Sequence, residues 1–251
     1  MYSEINSRIN DLISGNSKNP HALLGMHTEN FKIVVRVYNV HSESIVVKDM
    51  HSGETYQMDR IIEEGLFECV IADRDTPFKY ELIHTTKDGH TYSVIDPYSF
   101  WPTISDYDLY LFNQGNNHRI YEKLGCHLCE AEGVKGASFA VWAPSAKRVS
   151  VVGSFNQWDG RIHPMRQMGS SGVWELFIPG LTKGDLYKYE IKTPTDEIYT
   201  KADPYAFYAE KPPQTASVVY DLENYEWQDA NWMEKRAQEC VFDKPVNIYE
   251  V

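Results

Sequence analysis

Gly65-Leu66-Phe67-Glu68, followed by Asp96-Pro97-Tyr98-Ser99-Phe100, returns later in the chain as Gly172-Val173-Trp174-Glu175 followed by Asp203-Pro204-Tyr205-Ala206-Phe207. Both matches are displaced by 107 positions, from 65 to 172 and from 96 to 203. Between them, Phe78-Lys79-Tyr80-Glu81 answers Tyr187-Lys188-Tyr189-Glu190 with a displacement of 109, from 78 to 187, so a short length change separates the copies. A repeat of roughly 100 residues is too long for a solenoid unit and is the size of a small all-β domain. The chain therefore reads as two copies of one module, and 251 residues give each copy enough length to bury its own core.

Around these anchors the pattern is that of strands. Phe31, Ile33, Val35 and Val37 alternate onto one face. Ile45-Val46-Val47, Phe139-Ala140-Val141-Trp142, Val149-Ser150-Val151-Val152 and Trp174-Glu175-Leu176-Phe177-Ile178 are short runs between Gly, Pro and Asp turns. This predicts an all-β fold of two tandem immunoglobulin-like β-sandwiches. Ile5, Ile9, Leu12 and Ile13 at helical spacing, with Ser3 as a cap and Gly15 and Pro20 beyond, predict a short N-terminal helix. Residues 1–104 are expected to hold that helix and the first sandwich, 105–135 a linker together with the entry segment of the second copy, and 136–223 the second sandwich. Residues 224–251 are expected to hold a short helix at 232–237 and a strand at 245–251, which ends without a turn or cap and reads as cut.

Charge narrows the partners. With 24 basic and 36 acidic side chains, the net charge of −12 repels phosphate backbones and anionic lipid, so nucleic acid is not an expected partner. No apolar stretch approaches the ~20 residues needed to span a bilayer. Met1-Tyr2-Ser3-Glu4 also lacks the basic flank of a secretion signal, so a cytoplasmic chain without a membrane partner is expected. Four cysteines are too few for a disulfide framework at this length. Cys126-His127-Leu128-Cys129 has no second ligand pair to close a zinc site, so it reads as a reduced loop, and neither metal nor cofactor is expected.

The densest candidate for chemistry is Val151-Val152-Gly153-Ser154-Phe155-Asn156-Gln157-Trp158-Asp159-Gly160, which leaves a strand, presents Asn156 and Trp158, and turns at Asp-Gly. An indole on a loop can lay its π-face on the C–H face of a pyranose, while Asn and Lys side chains bind ring hydroxyls. The competing reading packs Trp158 between the sheets or against a neighbouring domain, as large aromatics usually pack. At the same place copy one has Lys48-Asp49-Met50-His51-Ser52-Gly53, with no aromatic, so the first sandwich is expected to keep the skeleton without the platform.

Gly153-Ser154-Phe155-Asn156-Gln157-Trp158-Asp159, with Tyr187-Lys188-Tyr189 and Asp203-Pro204, resembles the family-48 carbohydrate-binding module. The resemblance implies glucan contacts from the loop Trp, from the Lys of the Tyr-Lys pair and from a second aromatic shortly before Asp-Pro. In this chain these are Trp158, Lys188 and Tyr199, with Tyr199 standing where the strongest binders carry Trp. More widely, Asn19-Pro20-His21-Ala22-Leu23-Leu24-Gly25, Arg119-Ile120-Tyr121-Glu122-Lys123-Leu124-Gly125 and Asn247-Ile248-Tyr249-Glu250-Val251 resemble the N-terminal half of bacterial glycogen branching enzymes.

In that family an α-amylase-type (β/α)8 barrel after the second sandwich carries an Asp nucleophile, a Glu acid/base and a second Asp. Retaining transfer needs its two main carboxyls ~5–5.5 Å apart, and such a barrel needs ~250 residues. The stretch from Lys244 to Val251 could supply only its first strand, so no catalytic residue is expected here. The resemblance implies a non-catalytic part that binds or positions α-glucan (glycogen, maltooligosaccharides) for a missing catalytic barrel. That barrel would transfer α-1,4-glucan segments to 6-hydroxyls, forming α-1,6 branches. Two other readings stay open: a free-standing glycogen-binding or regulatory module, and a purely structural immunoglobulin-like scaffold.

Overall fold

A computed structural model describes residues 2–222, 225–243 and 245–250. The chain divides into a unit of residues 1–220 and a second of residues 221–251. In the first unit α1 (Tyr2–Ile13) and a 3-10 turn at Pro20–Ala22 lead into β1 (Gly25–Glu29), β2 (Lys32–Tyr38), β3 (Ser42–Asp49), β4 (Thr55–Gln57), β5 (Asp59–Ile62), β6 (Leu66–Ile71), β7 (Tyr80–Thr86) and β8 (Thr91–Ile95). The pattern then repeats: α2 (Asp106–Asn113) and a 3-10 turn at Ile120–Glu122 lead into β9 (Gly125–Ala131), β10 (Val134–Trp142), β11 (Arg148–Gly153), β12 (Arg166–Gln167), β13 (Val173–Pro179), β14 (Leu186–Lys192), β15 (Ile198–Lys201), β16 (Tyr208–Ala209) and β17 (Ser217–Val218).

The strands form two sandwiches of antiparallel sheets. The first pairs β1-β2-β6-β5 with β4-β3-β7-β8, and the second pairs β12-β13-β10-β9 with β11-β14-β17-β16, where β15 adds to β14. Ile33, Ile45, Val47, Phe67 and Leu82 fill the first core, and Phe139, Val151, Trp174, Tyr187 and Tyr189 the second. β3 and β14 alternate buried and accessible positions, as half-solvated strands do. β2 and β10 are buried along nearly their whole length because each sheet has a helix on its outer face. Leu12 of α1 packs with Leu23, Leu24 and Leu66, and Leu109 of α2 packs with Leu124, Ala140 and Val173.

Residues 105–135, read from the sequence as a linker with the entry segment, are thus the beginning of copy two, equivalent to the helix, turn and first strand of copy one. The repeat is spelled there too, at a displacement of 100: Leu24-Gly25-Met26-His27 returns as Leu124-Gly125-Cys126-His127, and each histidine Nε2 lies 3.0 Å from the carbonyl of its own Leu24 or Leu124. The covering helices need only an apolar stripe, which many residue sets supply. α1 already begins at Tyr2, so Ser3 lies inside the helix rather than capping it. Phe31 is not on the β2 face: with Asn30 it makes the two-residue left-handed turn between β1 and β2 (φ 61° and 51°) and is almost fully exposed.

The structure corrects the match at a displacement of 109: Tyr80 is the counterpart of Tyr187, not of Tyr189, at the same displacement of 107 as the other anchors, and the repeated residues share one structural task. Tyr80 donates its hydroxyl to Asp96 Oδ2 at 2.6 Å, and Tyr187 donates to Asp203 Oδ2 at the same distance. Each aspartate also accepts the backbone N–H two residues on, at Tyr98 (2.9 Å) and Tyr205 (2.8 Å), which locks the Asp-Pro-Tyr turn. Burial raises both carboxyls against these bonds, Asp96 to about 6. Gly25 and Gly125 sit in the left-handed region (φ 91° and 101°), and a Cβ on either would press on the carbonyl of Tyr98 or Tyr205.

The two sandwiches are joined by polar and apolar contacts. Tyr98 donates its hydroxyl toward the carbonyls of Pro164 (3.1 Å) and Ile162 (3.3 Å). His41 Nε2 pairs with Asp159 Oδ2 at 3.0 Å. The buried pair Arg166–Glu175 (2.7 Å) reaches the connecting chain. Arg166 Nη1 donates to Phe100 O, and Thr103 donates to Glu175 Oε1 through its N–H (3.0 Å) and its hydroxyl (2.8 Å).

In the second unit, α3 spans Ala230–Gln238, matching the helix expected at 232–237. The strand expected over 245–251 is not formed in residues 245–250, where no neighbouring strand accepts their backbone groups, and Val251 lies outside the described residues. The boundary expected at 223/224 also lies outside them. Among the described residues no helix is long and apolar enough to cross a membrane.

Candidate functional site

The Trp158 loop starts where β11 ends. Gly153 leads into a 3-10 turn at Ser154–Asn156, after which Gln157 and Trp158 both adopt left-handed backbone (φ 57° and 60°). Two successive non-glycine residues in this region cost about 1–2 kcal/mol each, so the surrounding bonds must hold them there. Asn156 supplies most of that hold. Its Oδ1 accepts Gly153 N–H at 2.8 Å, and its Nδ2 donates to Val151 O and to His163 Nδ1, both at 2.9 Å. Trp158 N–H then donates to Gly153 O at 2.9 Å.

The outcome for Asn156 corrects the expectation. It is 5% exposed, and its oxygen and both amide hydrogens are used in bonds inside the loop, so it shapes the Trp158 loop from within. Trp158 is 41% exposed and lines an open groove of about 530 Å³ with Arg148, Glu190, Lys192 and Ile198. Gly160 is buried directly over the Glu190 carboxyl, where any Cβ would clash. Arg148 and Glu190 form a close ion pair beneath the groove, and burial raises the Glu190 carboxyl against the pull of Arg148. Asp159 is held low: burial pushes it up, but hydrogen bonds and charge from Arg161 outweigh that.

Register separates the remaining candidates. On β14 the buried Tyr187 and Tyr189 face the core, so Lys188, Glu190 and Lys192 face outward. Directly paired residues of an antiparallel ladder share a face. Lys192 pairs with Ile198, whereas Ile191 pairs with Tyr199. Tyr199 therefore lies on the other face of the sheet from Lys188 and the Trp158 groove, and Ile198, 57% exposed, is the β15 side chain in the groove. Sequence reasoning missed Ile198 because the motif fixes only an approximate distance before Asp-Pro, while a one-residue shift reverses the face. Lys188 is on the platform face, two positions from Glu190, with its Nζ donating to Thr215 Oγ1 at 2.7 Å.

The chain's own N-terminal segment borders the groove. Lys192 Nζ donates to Ser14 O and Asn16 Oδ1, both at 2.8 Å, and Gln167 N–H donates to Lys18 O at 2.7 Å. Cys126 and Cys129 lie on strand β9 rather than in a loop, three residues apart and hence on opposite faces; burial pushes the Cys126 thiol well up. Among the described residues no three His, Cys, Asp or Glu side chains are grouped to hold a metal ion.

Residues 5–98 match the family described as alpha-1,4-glucan branching enzyme GlgB, N-terminal domain, and residues 123–206 match Carbohydrate-binding module 48 (Isoamylase N-terminal domain). The 1,4-alpha-glucan branching enzyme GlgB of Thermosynechococcus vestitus is 45% identical over 249 residues, covering 97% of this chain and 32% of the relative. That of Rubrobacter xylanophilus is 45% identical over 244 residues (97% and 33%), and that of Protochlamydia amoebophila 41% over 251 residues (99% and 34%). The chain spans about a third of the length of these curated relatives. The chain corresponds to the N-terminal region of these relatives, a GlgB N-terminal domain followed by a family-48 carbohydrate-binding module.

Proposed function

We propose that this chain binds and positions α-glucan for a branching reaction carried out by a catalytic barrel beyond it, and that it is itself non-catalytic. The observation that carries the reading is the Trp158 indole. It stands half out of the surface on a loop whose strained backbone is pinned by Asn156, beside an apolar Ile198 and a polar floor. A preformed aromatic plane with donors and acceptors around it suits a neutral ring bearing hydroxyls at its edge. The groove carboxylates are committed to arginines, Glu190 to Arg148 and Asp159 to Arg161, which suits binding better than acid/base work. In this reading glucan sits on Trp158, Ile198 and Lys188, with neither Asn156 nor Tyr199 in contact. A cytoplasmic location accompanies it, where glycogen and maltooligosaccharides are found.

A scaffold role is favoured by one observation, the occupation of Lys192 by Ser14 and Asn16, which makes part of this face a docking surface for the first module. Migration through gels containing glycogen decides between them. The wild type should be retarded and Trp158→Ala should run freely; equal migration of the two would remove Trp158 as a platform.

A further inference from the structure

We propose that the cleft between the two sandwiches is a second α-glucan subsite, so that one oligosaccharide crosses the Gln157-Trp158 ridge and is held by both copies of the repeat. This rests on the reading of the Trp158 groove as a glucan site. The cleft encloses about 640 Å³ and is lined by His41, Asp88, His90 and Tyr92 of the first sandwich and by Phe155 and Gln157 of the second. Gln157 lines both this cleft and the Trp158 groove, so the two are continuous over a single exposed residue.

The lining favours a sugar over other ligands. Two aromatic rings, Tyr92 and Phe155, stand among hydroxyl, amide and imidazole groups, which fits a ligand with apolar C–H faces and a hydroxyl edge. Lys87 and Asp88 compensate each other, and the chain's charge of −12 works against a polyanion.

The cleft is also preformed. Tyr92 is stacked on His84 with centroids 5.1 Å apart and planes 6° apart, and His90 lies near-parallel to Tyr92 at 6.3 Å. His84 is fixed in turn by Ser42 Oγ at 2.8 Å from its Nδ1. On the facing side, the His41–Asp159 contact at 3.0 Å ties the first sandwich to the ridge loop, so the walls cannot drift apart without breaking it. The ring row also answers a question left by the repeat. Tyr92 pairs with His84 as Tyr199 pairs with Ile191, so they are equivalent positions. Copy one turns that tyrosine toward its neighbour's loop, and the module without a loop Trp contributes the second wall.

Calorimetric titration of the full chain with maltotriose and maltoheptaose tests this. Tyr92→Ala and His90→Ala should weaken maltoheptaose binding about five- to tenfold, the size of one lost aromatic contact, and leave maltotriose unchanged. Trp158→Ala should weaken both. Folded Tyr92→Ala and His90→Ala proteins that bind maltoheptaose like the wild type would overturn the proposal; should Tyr92→Ala not fold, the exposed His90 decides alone. Equal weakening of both lengths would overturn the continuous chain. If His90→Ala weakens maltoheptaose binding while Trp158→Ala has no effect, the cleft alone binds sugar, and both the Trp158 reading and the chain continuous across the ridge fall. No binding of either sugar to the wild type overturns both.

Discussion

Asn156 Nδ2 lies 2.9 Å from His163 Nδ1, a contact that requires His163 to present an unprotonated nitrogen to the amide. Burial supplies that state, holding the His163 ring at about 4. The Trp158 loop is therefore held by a hydrogen bond between Asn156 and His163.

Asn156→Ala should consequently act on binding through the loop. It removes the acceptor of Gly153 N–H and the donor to Val151 O and His163, leaving buried groups unpaired at about 1–3 kcal/mol. Chemical denaturation should record a loss of that size, and glycogen-gel retardation should weaken although Trp158 is still present.

The two faces of β15 give a paired test. Ile198→Asp places a charge beside the indole and should abolish retardation by glycogen. Tyr199→Ala, on the opposite face, should leave it unchanged and shift stability by no more than about 0.5 kcal/mol. The reverse outcome would place the glucan on the Tyr199 face of β15.

Acid should destabilise the first unit. His84 and His163 are held at about 4 and His21 at about 3 by burial, against 6.5 for a free imidazole. Between pH 6.5 and 4 the unfolded chain therefore carries protons on these rings that the folded chain lacks, and stability falls as pH falls through that window. Asp96, raised to about 6, works in the opposite direction, because the folded chain takes its proton before the unfolded one does. Asp203 and Glu190 are raised by burial too, whereas the lowered carboxyls of Glu29, Asp108 and Asp159 act with the three histidines, so the melting temperature should be lower at pH 4.5 than at pH 7, and His84→Gln should flatten the profile.

Glu175→Ala should be the most damaging of these substitutions. It strands Arg166 in the interior and removes the acceptor used by Thr103, and breaking such a pair typically costs about 3–5 kcal/mol. A urea midpoint equal to the wild type would show that the connecting chain is held by other contacts.

The architecture was legible because the repeat is written in residues with demanding tasks: a tyrosine that must reach a buried aspartate, and an aspartate that also accepts the backbone N–H two residues on to lock its turn. The start of copy two was written in Leu124-Gly125-Cys126-His127, the counterpart of Leu24-Gly25-Met26-His27, but at a displacement of 100 rather than 107, and it went unread because α2 before it needs only an apolar stripe. Within the site, Trp158 was readable from its loop. Asn156 was misread because the sequence shows an amide but not that Val151, Gly153 and His163 already use it. Tyr199 was misread because spacing before Asp-Pro carries no information about parity along a strand.

Tyr98 belongs by sequence to the first copy's Asp-Pro-Tyr motif, yet its ring packs against the second core as well as the cluster under α1, and its hydroxyl serves carbonyls of the second sandwich. A duplicated module is ordinarily a portable part, free to be shuffled among genes or grafted onto other enzymes. Here a landmark of the duplication has become the mortise between the copies. Transplanting the second sandwich alone would leave the socket of Tyr98 empty, so the unit for recombination or for engineering is the pair.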